Sequence, residues 1–123
     1  MTLANYSVVV TGGSGGIGSA LVNGLVQAGA QVVNLDQIPP EMALKAEFIA
    51  TDLTDEGSVA KAFSTINKID ALVISAGVQL VGEDSKIGDV SLSVWQRTID
   101  VNMTGAFLSV KYAIPKLVES GHG

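Results

Sequence analysis

Thr11-Gly12-Gly13-Ser14-Gly15-Gly16-Ile17-Gly18 is the stretch whose residue types and spacing could do chemistry, and that chemistry is anion binding. A β-like apolar run over residues 6–10 leads into it and a helix-period pattern leaves it. Glycines permit a tight turn and let backbone N–H groups approach a phosphate, while the unpaired amides and positive dipole end of the following helix favour the negative charge. The first charged residue of the chain, Asp36, lies 18 residues beyond Gly18, at the end of a second apolar run. In dinucleotide-binding folds a carboxylate there accepts hydrogen bonds from the adenosine ribose. It also repels a 2′-phosphate, and the loop carries no Arg or Lys to neutralise one, so the pair predicts NAD rather than NADP. The plain alternative for Asp36 is a solvated acid that ends a strand.

These residues need a strand, a turn and a helix to hold them. From Ile17 the positions Ile17, Ala20, Leu21, Gly24, Leu25 and Ala28 recur at three-four spacing, which predicts a helix with this face on a sheet and a stop at Gly29. Gly24 within that face predicts a close helix–strand approach. Residues 31–35, 47–50 and 71–74 read as further strands, while Pro39-Pro40 breaks the chain and residues 41–46 form at best a short helix. Thr54 is the expected cap of a second helix, with Asp55 and Glu56 in its first turn and Val59, Ala62, Phe63 and Ile66 as its buried stripe. A polar loop over residues 78–89 leads to Ser93, the expected cap of a long helix reaching about residue 119. Trp95, Thr98, Ile99, Asn102, Ala106, Val110, Ala113 and Leu117 make its stripe. Short apolar strands alternating with helices imply a parallel sheet covered on both faces. With right-handed crossovers this is an α/β, Rossmann-type doubly wound sheet of strand order 3-2-1-4. It ends after the fourth strand and the following long helix, as a single domain over residues 1–123.

Composition narrows the partners. With 47% hydrophobic residues, 15% charged residues and 14 glycines in 123, the chain reads as a well-buried α/β protein. A formal charge of −5 without a Lys/Arg cluster argues against nucleic acid and anionic membrane, which both need a basic footprint. No apolar run is long enough for a membrane span, the start has no signal-peptide pattern, and cysteine is absent, so a cytoplasmic location is expected. His122 stands alone and is expected to be solvated, and no Cys/His cluster suggests a metal.

Thr11, Gly12, Gly16, Ile17 and Gly18, then Asp36, Asp52-Leu53, Ser75-Ala76-Gly77 and Asp100-Val101-Asn102-Met103-Thr104-Gly105, together resemble the short-chain dehydrogenase/reductase family along the whole chain. Gly15 also fits the glycine spacing of the family's larger epimerase-like members, but the Ala76-Gly77 turn and the segment around Asn102 resemble the compact reductase branch. The resemblance implies a cofactor-binding set of Gly12, Ser14, Gly15, Gly16, Ile17, Gly18, Asp36, Asp52, Leu53, Ser75, Ala76 and Gly77. Asp52 would meet the adenine amino group and the Leu53 amide would border the ring; the alternative for Asp52 is an acid that leads a helix ahead of Thr54. Where Ser75 stands the family usually has Asn, and a shorter hydroxyl bonds only locally. For Asn102, whose amide on an apolar stripe must find partners, the resemblance implies a catalytic role. It would bend the helix and, through its main chain, position a water in a proton relay to the catalytic lysine.

The chain departs from the family after Ser120-Gly121-His122-Gly123. The family's serine strand and its Tyr-x-x-x-Lys helix belong beyond this point, so the expectation is the cofactor-binding half of a larger enzyme, inactive alone, with an open edge on the fourth strand. Tyr112 and Lys116 do share Tyr-x-x-x-Lys spacing, but they precede the fifth strand and Pro115 lies between them, which makes the pair a decoy. Ser109 is better explained by helix packing.

The parent is expected to transfer a hydride between NAD(H) and a secondary alcohol or ketone. The resemblance further implies a homodimer or homotetramer through the 93–119 helix, with Tyr112 and Lys116 in the interface. Two rivals are a non-catalytic NAD-binding or sensing module, which needs only the residues present, and a methyltransferase, whose sheet also has a glycine turn and an acid after its second strand.

Overall fold

Four short apolar segments build one parallel sheet, and the most completely buried of them lies inside it. The computed structural model describes residues 2–42 and 45–122. β1 (Ser7–Thr11) is flanked by β2 (Gln31–Asp36) and β4 (Ala71–Ile74), and β3 (Glu47–Ala50) pairs with the far side of β2, giving the order β3-β2-β1-β4. All pairings are parallel, with Val10 opposite both Asn34 and Val73 and with Leu35 opposite Ile49. Val8, Val9, Val10 and Thr11 are buried, as a strand covered on both faces must be. Among the described residues β4 pairs on one side only.

α1 (Gly16–Gln27) covers one face, where Val8, Val10, Val22, Ala30 and Val32 meet. α2 (Glu56–Ser64) and α4 (Gly105–Ser120) belong to the other, whose cluster includes Val9, Leu35, Val59, Phe63, Ile69 and Leu108. Complete burial of such a side chain is worth about 1.5–3 kcal/mol relative to exposure. The layers are therefore held by these clusters rather than by the exposed ion pairs of Glu56 with Lys111 and Glu83 with Arg97.

The helices correct several sequence expectations. α1 buries Gly18 and Val22, whereas Ile17 is 77% exposed and Leu21 and Gly24 also face outward. Nearly every residue of α1 is apolar or small, so two neighbouring stripes are equally hydrophobic, and contact of Gly18 with the preceding loop decides between them. A Cβ on Gly24 would meet nothing within 4 Å, so the close approach expected there is absent. The cap of α2 is Asp55, whose carboxylate accepts from the Ser58 amide at 2.7 Å; Thr54 bonds Asp52 instead. α3 (Leu92–Ile99) is capped by Ser91, not Ser93.

The long helix is interrupted by a π turn (Asp100–Thr104) between α3 and α4. The wider i→i+5 turn shifts the helical phase. Val94, Gly105, Leu108, Ser109 and Ala113 are buried, while Trp95, Asn102 and Val110 are exposed. Met103, Phe107, Val110, Ile114 and Val118 form a second apolar stripe that faces outward, so periodicity alone had two solutions. Residues 41, 42, 45 and 46 are not helical, and residues 43 and 44 of the short helix considered there lie outside the described residues.

Asp70, 3% exposed, ties the start of β4 to β1. Its carboxylate accepts from the Ser7 amide at 2.8 Å and pairs with Lys68 at 2.9 Å, and its own amide donates to the Ser7 carbonyl. The Ser7 hydrogen bond, then Lys68, hold this carboxyl below the ordinary aspartate pKa. Stability from such a group is complete above the unfolded value of about 4 and is lost as pH falls through the lower folded value. The melting-temperature gap between the protein and its Asp70→Asn variant should therefore be widest at neutral pH and should close below about pH 4. A gap that stayed constant across that range would mean the charge of Asp70 does not contribute.

Candidate functional site

The strands are parallel and their carboxyl ends lie on one side, where a cleft of about 650 Å³ opens next to the ends of β1 and β4. There the strand order reverses, which is where open α/β sheets bind ligands. Gly12, Ser14, Gly15, Gly16, Ile17 and Gly18 line it from the loop after β1. Asp36, Gln37, Ile38 and Pro39 line it from the end of β2, Thr51, Leu53 and Thr54 from the segment after β3, and Ser75, Ala76, Gly77 and Val78 from the segment after β4. Val101 of the π turn completes the wall. Among the described residues no Lys or Arg lines it, whereas Asp36 and Glu41 do.

Two glycines are there for space. Gly12 has φ 69°, and a Cβ on it would stand 2.5 Å from the Ala76 Cα, so the exits of β1 and β4 pass backbone to backbone. A Cβ on Gly18 would overlap the Gly12 carbonyl oxygen and lie 2.8 Å from the Gly13 Cα, so the loop folds directly onto the first turn of α1. Gly15 caps α1 with no side chain to occupy its first amides, and the first turn contains no acid. Those amides can serve an anion.

Asp36 is drawn into this loop. Its Oδ2 accepts from the Ser14 amide at 3.1 Å and its Oδ1 from the Ile38 amide at 3.4 Å. Asp52, in contrast, does not line the cleft. Its Oδ1 accepts from the Thr54 hydroxyl at 2.7 Å and from the Thr54 amide at 2.9 Å, and these two bonds hold its carboxyl below the ordinary aspartate pKa. Asp52 Oδ1 is thus engaged by Thr54 just ahead of α2, while Thr51, Leu53 and Thr54 make the wall on either side of it. Ser75 lines the cleft, and among the described residues its hydroxyl has no hydrogen-bond partner; Thr11 makes the bridge between strand ends, its hydroxyl accepting from the Ala76 amide at 3.4 Å.

Asn102 sits in the middle of the π turn and is exposed rather than buried, yet both ends of its side-chain amide are engaged. Its Oδ1 accepts from the Val78 amide at 2.7 Å and its Nδ2 donates to the Val78 carbonyl at 2.9 Å. One side-chain amide thus satisfies both backbone groups of a residue just beyond the end of β4 and fastens the cleft wall to the long helix. π turns of this kind recur at functional sites.

Tyr112 and Lys116 stand away from the cleft, and their polar atoms bond Glu56 of α2 and the carbonyls at its C-terminal end. The Tyr112 hydroxyl donates to Glu56 at 3.0 Å, a bond that pushes its pKa up, the opposite of what a tyrosine proton donor needs. Lys116 donates to the Phe63 carbonyl at 2.6 Å and to that of Ile66, at the C-terminal end of α2. Ser109 is buried and donates to the Gly105 carbonyl at 2.7 Å. His122, expected to be solvated, has its ring 5.4 Å from that of Tyr6. Among the described residues no group of three His, Cys, Asp or Glu could hold a metal, and no helix is long and apolar enough to cross a membrane. Sequence reading passed over Asn34, a polar residue inside an apolar parallel strand, although that break in pattern was the available signal.

Comparison with known proteins agrees with this geometry. The family model for short chain dehydrogenase matches residues 6–123. A 3-alpha-(or 20-beta)-hydroxysteroid dehydrogenase of Mycobacterium tuberculosis is 32% identical over 94% of this chain and 47% of its own length. The ligand-free aldohexose dehydrogenase of Thermoplasma acidophilum superposes with a TM-score of 0.87 at 35% identity, covering 95% of this chain and 46% of that one. A short chain dehydrogenase of Leptospira borgpetersenii, solved with bound NAD+, superposes with a TM-score of 0.88 at 27% identity, covering 98% and 49%. The chain spans about half the length of the curated relatives it matches. With the family's sheet order, glycine loop and strand-end acid all in place, the chain belongs to the short-chain dehydrogenase family.

Proposed function

We propose that this chain binds NAD(H) and that the protein transfers a hydride between that cofactor and a secondary alcohol or ketone. The observation that carries the reading is the joining of Asp36 to the glycine loop, through the Ser14 amide, in a cleft that no cation lines among the described residues. The fit rests on this chain's own residues. Gly12 and Gly18 leave no room for side chains where a pyrophosphate would approach, and the first amides of α1 lack a side-chain cap. Asp36 would hold the adenosine ribose, with Gly15, Gly16 and Ile17 along the phosphates. Leu53, Thr54 and the exposed Ile38 would border the adenine, and Ser75, Ala76 and Gly77 would let the chain pass close to the nicotinamide half. When bound, the nicotinamide supplies the hydride exchange. Asn102 would contribute by position: it holds Val78 against the π turn, and its main chain would serve the relay that returns the proton. The outward stripe of Met103, Phe107, Val110, Ile114 and Val118 supports assembly as a homodimer or homotetramer through this helix.

A titration of the protein with NADH, NADPH and S-adenosylmethionine, followed by nucleotide fluorescence and calorimetry, tests the reading. Saturable NADH binding, weaker NADPH binding and no binding of S-adenosylmethionine are expected. Binding of S-adenosylmethionine in place of NADH would overturn it in favour of a methyltransferase.

A further inference from the structure

Asn34 occupies a place in β2 where the fold calls for an apolar residue. It alternates with Val32 on the face covered by α1, between strands that pair it with Val10 and Phe48. It is 1% exposed, and among the described residues its Oδ1 has no hydrogen-bond partner. A buried amide oxygen left unpaired costs stability, and residues that break a local rule at such a cost mark functional positions. Its Nδ2 is engaged: it donates to the Ser14 hydroxyl at 3.0 Å. The Ser14 amide in turn donates to Asp36, two residues further along the same strand, at 3.1 Å. Ser14 is therefore gripped by its hydroxyl and its amide from one strand end. Gly13 lies directly over Asn34, so close that a Cβ there would overlap Oδ1 and stand 2.6 Å from Cγ. Asn34 is thus the floor on which the glycine loop rests, and it lies beneath the cleft rather than in its wall.

We propose that Asn34 is a positioning residue of the dinucleotide site: by holding the Ser14 hydroxyl it sets the glycine loop and the Asp36 carboxylate in the arrangement that receives the pyrophosphate and adenosine ribose. The proposal rests on the NAD reading above. It explains why an orphaned oxygen is kept in the core, since an aliphatic side chain of similar size would avoid the orphan but release the loop.

The test uses the full chain, with direct binding of NADH and of ADP-ribose as readouts and apo melting temperature as a check on folding. Asn34→Leu and Asn34→Ala should each weaken both ligands about five- to tenfold, the size expected for one lost neutral hydrogen bond and some loop disorder. The alanine variant keeps the test alive if leucine is too large for the space under Gly13. Ser14→Ala should also weaken binding, and combining it with Asn34→Ala should add less than about twofold, because both break one link. Full additivity would make Asn34 an independent packing residue and overturn the proposal, as would unchanged affinity in both Asn34 variants. If the unsubstituted protein fails to bind NADH, the functional reading falls and the proposal with it; if it binds and the variants bind equally well, only the proposal falls.

Discussion

Gly18→Ala is expected to abolish NADH binding. A methyl group at this position would overlap the Gly12 carbonyl oxygen and press on the Gly12 carbonyl carbon at 2.7 Å and the Gly13 Cα at 2.8 Å. All three are backbone atoms, so no side-chain rotation relieves the overlap and the loop itself must lift away from α1. Gly12 cannot absorb the movement, because it is in turn set against the backbone of Ala76. Displacement of a positioning element by about 1 Å costs on the order of a hundredfold at well-ordered sites, and here the displaced groups are the amides proposed to bind the pyrophosphate. Gly24→Ala is the matched control. That residue is exposed in the interior of the same helix with nothing within 4 Å of an added Cβ, so alanine should stabilise the protein by about 0.5–1 kcal/mol and leave affinity unchanged. Fluorescence titration and thermal melts of both variants give the answer. Binding by Gly18→Ala within about threefold of the unsubstituted protein would mean the loop is not the cradle, given the misplacement cost stated above.

Asp36→Ala is expected to weaken NADH by about ten- to a hundredfold, the equivalent of about 1.5–3 kcal/mol for hydrogen bonds to a charged acceptor. Cofactor preference should change more than affinity. Two unit charges about 4 Å apart repel by about 4 kcal/mol at an effective dielectric of 20, which exceeds the hydrogen-bond gain. Removing the carboxylate therefore removes the larger barrier against a 2′-phosphate, and NADPH should bind the variant as well as NADH does, or better. Competitive titration of the two cofactors measures the ratio. An unchanged preference for NADH would show that Asp36 is only a strand-ending acid that anchors Ser14.

Much of the sheet was legible before any coordinates. Residues 47–50 and 71–74 are the strands β3 and β4, and β1 and β2 differ from their expected bounds only at one or both ends. A strand buried on both faces must be a short uninterrupted apolar run, and such runs are hard to mistake when Gly, Pro and Asp bound them. The loop and Asp36 were legible for a related reason. Backbone packed against backbone, as at Gly12 and Gly18, needs glycine, and an acid ending an apolar parallel strand falls at the carboxyl edge of the sheet, so residue type and position report geometry.

The helices were less legible, because their stripes were ambiguous. α1 has scarcely a polar face, and α4 carries apolar residues on two, one turned to α2 and one to solvent. Hydrophobicity then says that a helix packs but not which way round. Thr54 and Ser93 each lie within two residues of the side chain that does cap, and selection between them depends on where the helix axis is pinned. Asp52 illustrates a different limit. One of its carboxylate oxygens, Oδ1, takes two hydrogen bonds from Thr54, an engagement visible only in three dimensions.

By itself, then, the sequence determined the order of elements, the family and the glycine loop, because these depend on residues near one another in the chain and on what their side chains lack. Tertiary structure decided what depends on partners far apart. It turned Gly18 rather than Gly24 into the close contact, fastened Asn102 to Val78 across the cleft, and set Asn34 under Ser14 with an oxygen unpaired. The contacts of Asn102 and Asn34 join residues 24 and 20 apart in the chain, and their worth comes from burial and hydrogen-bond geometry that no local pattern encodes.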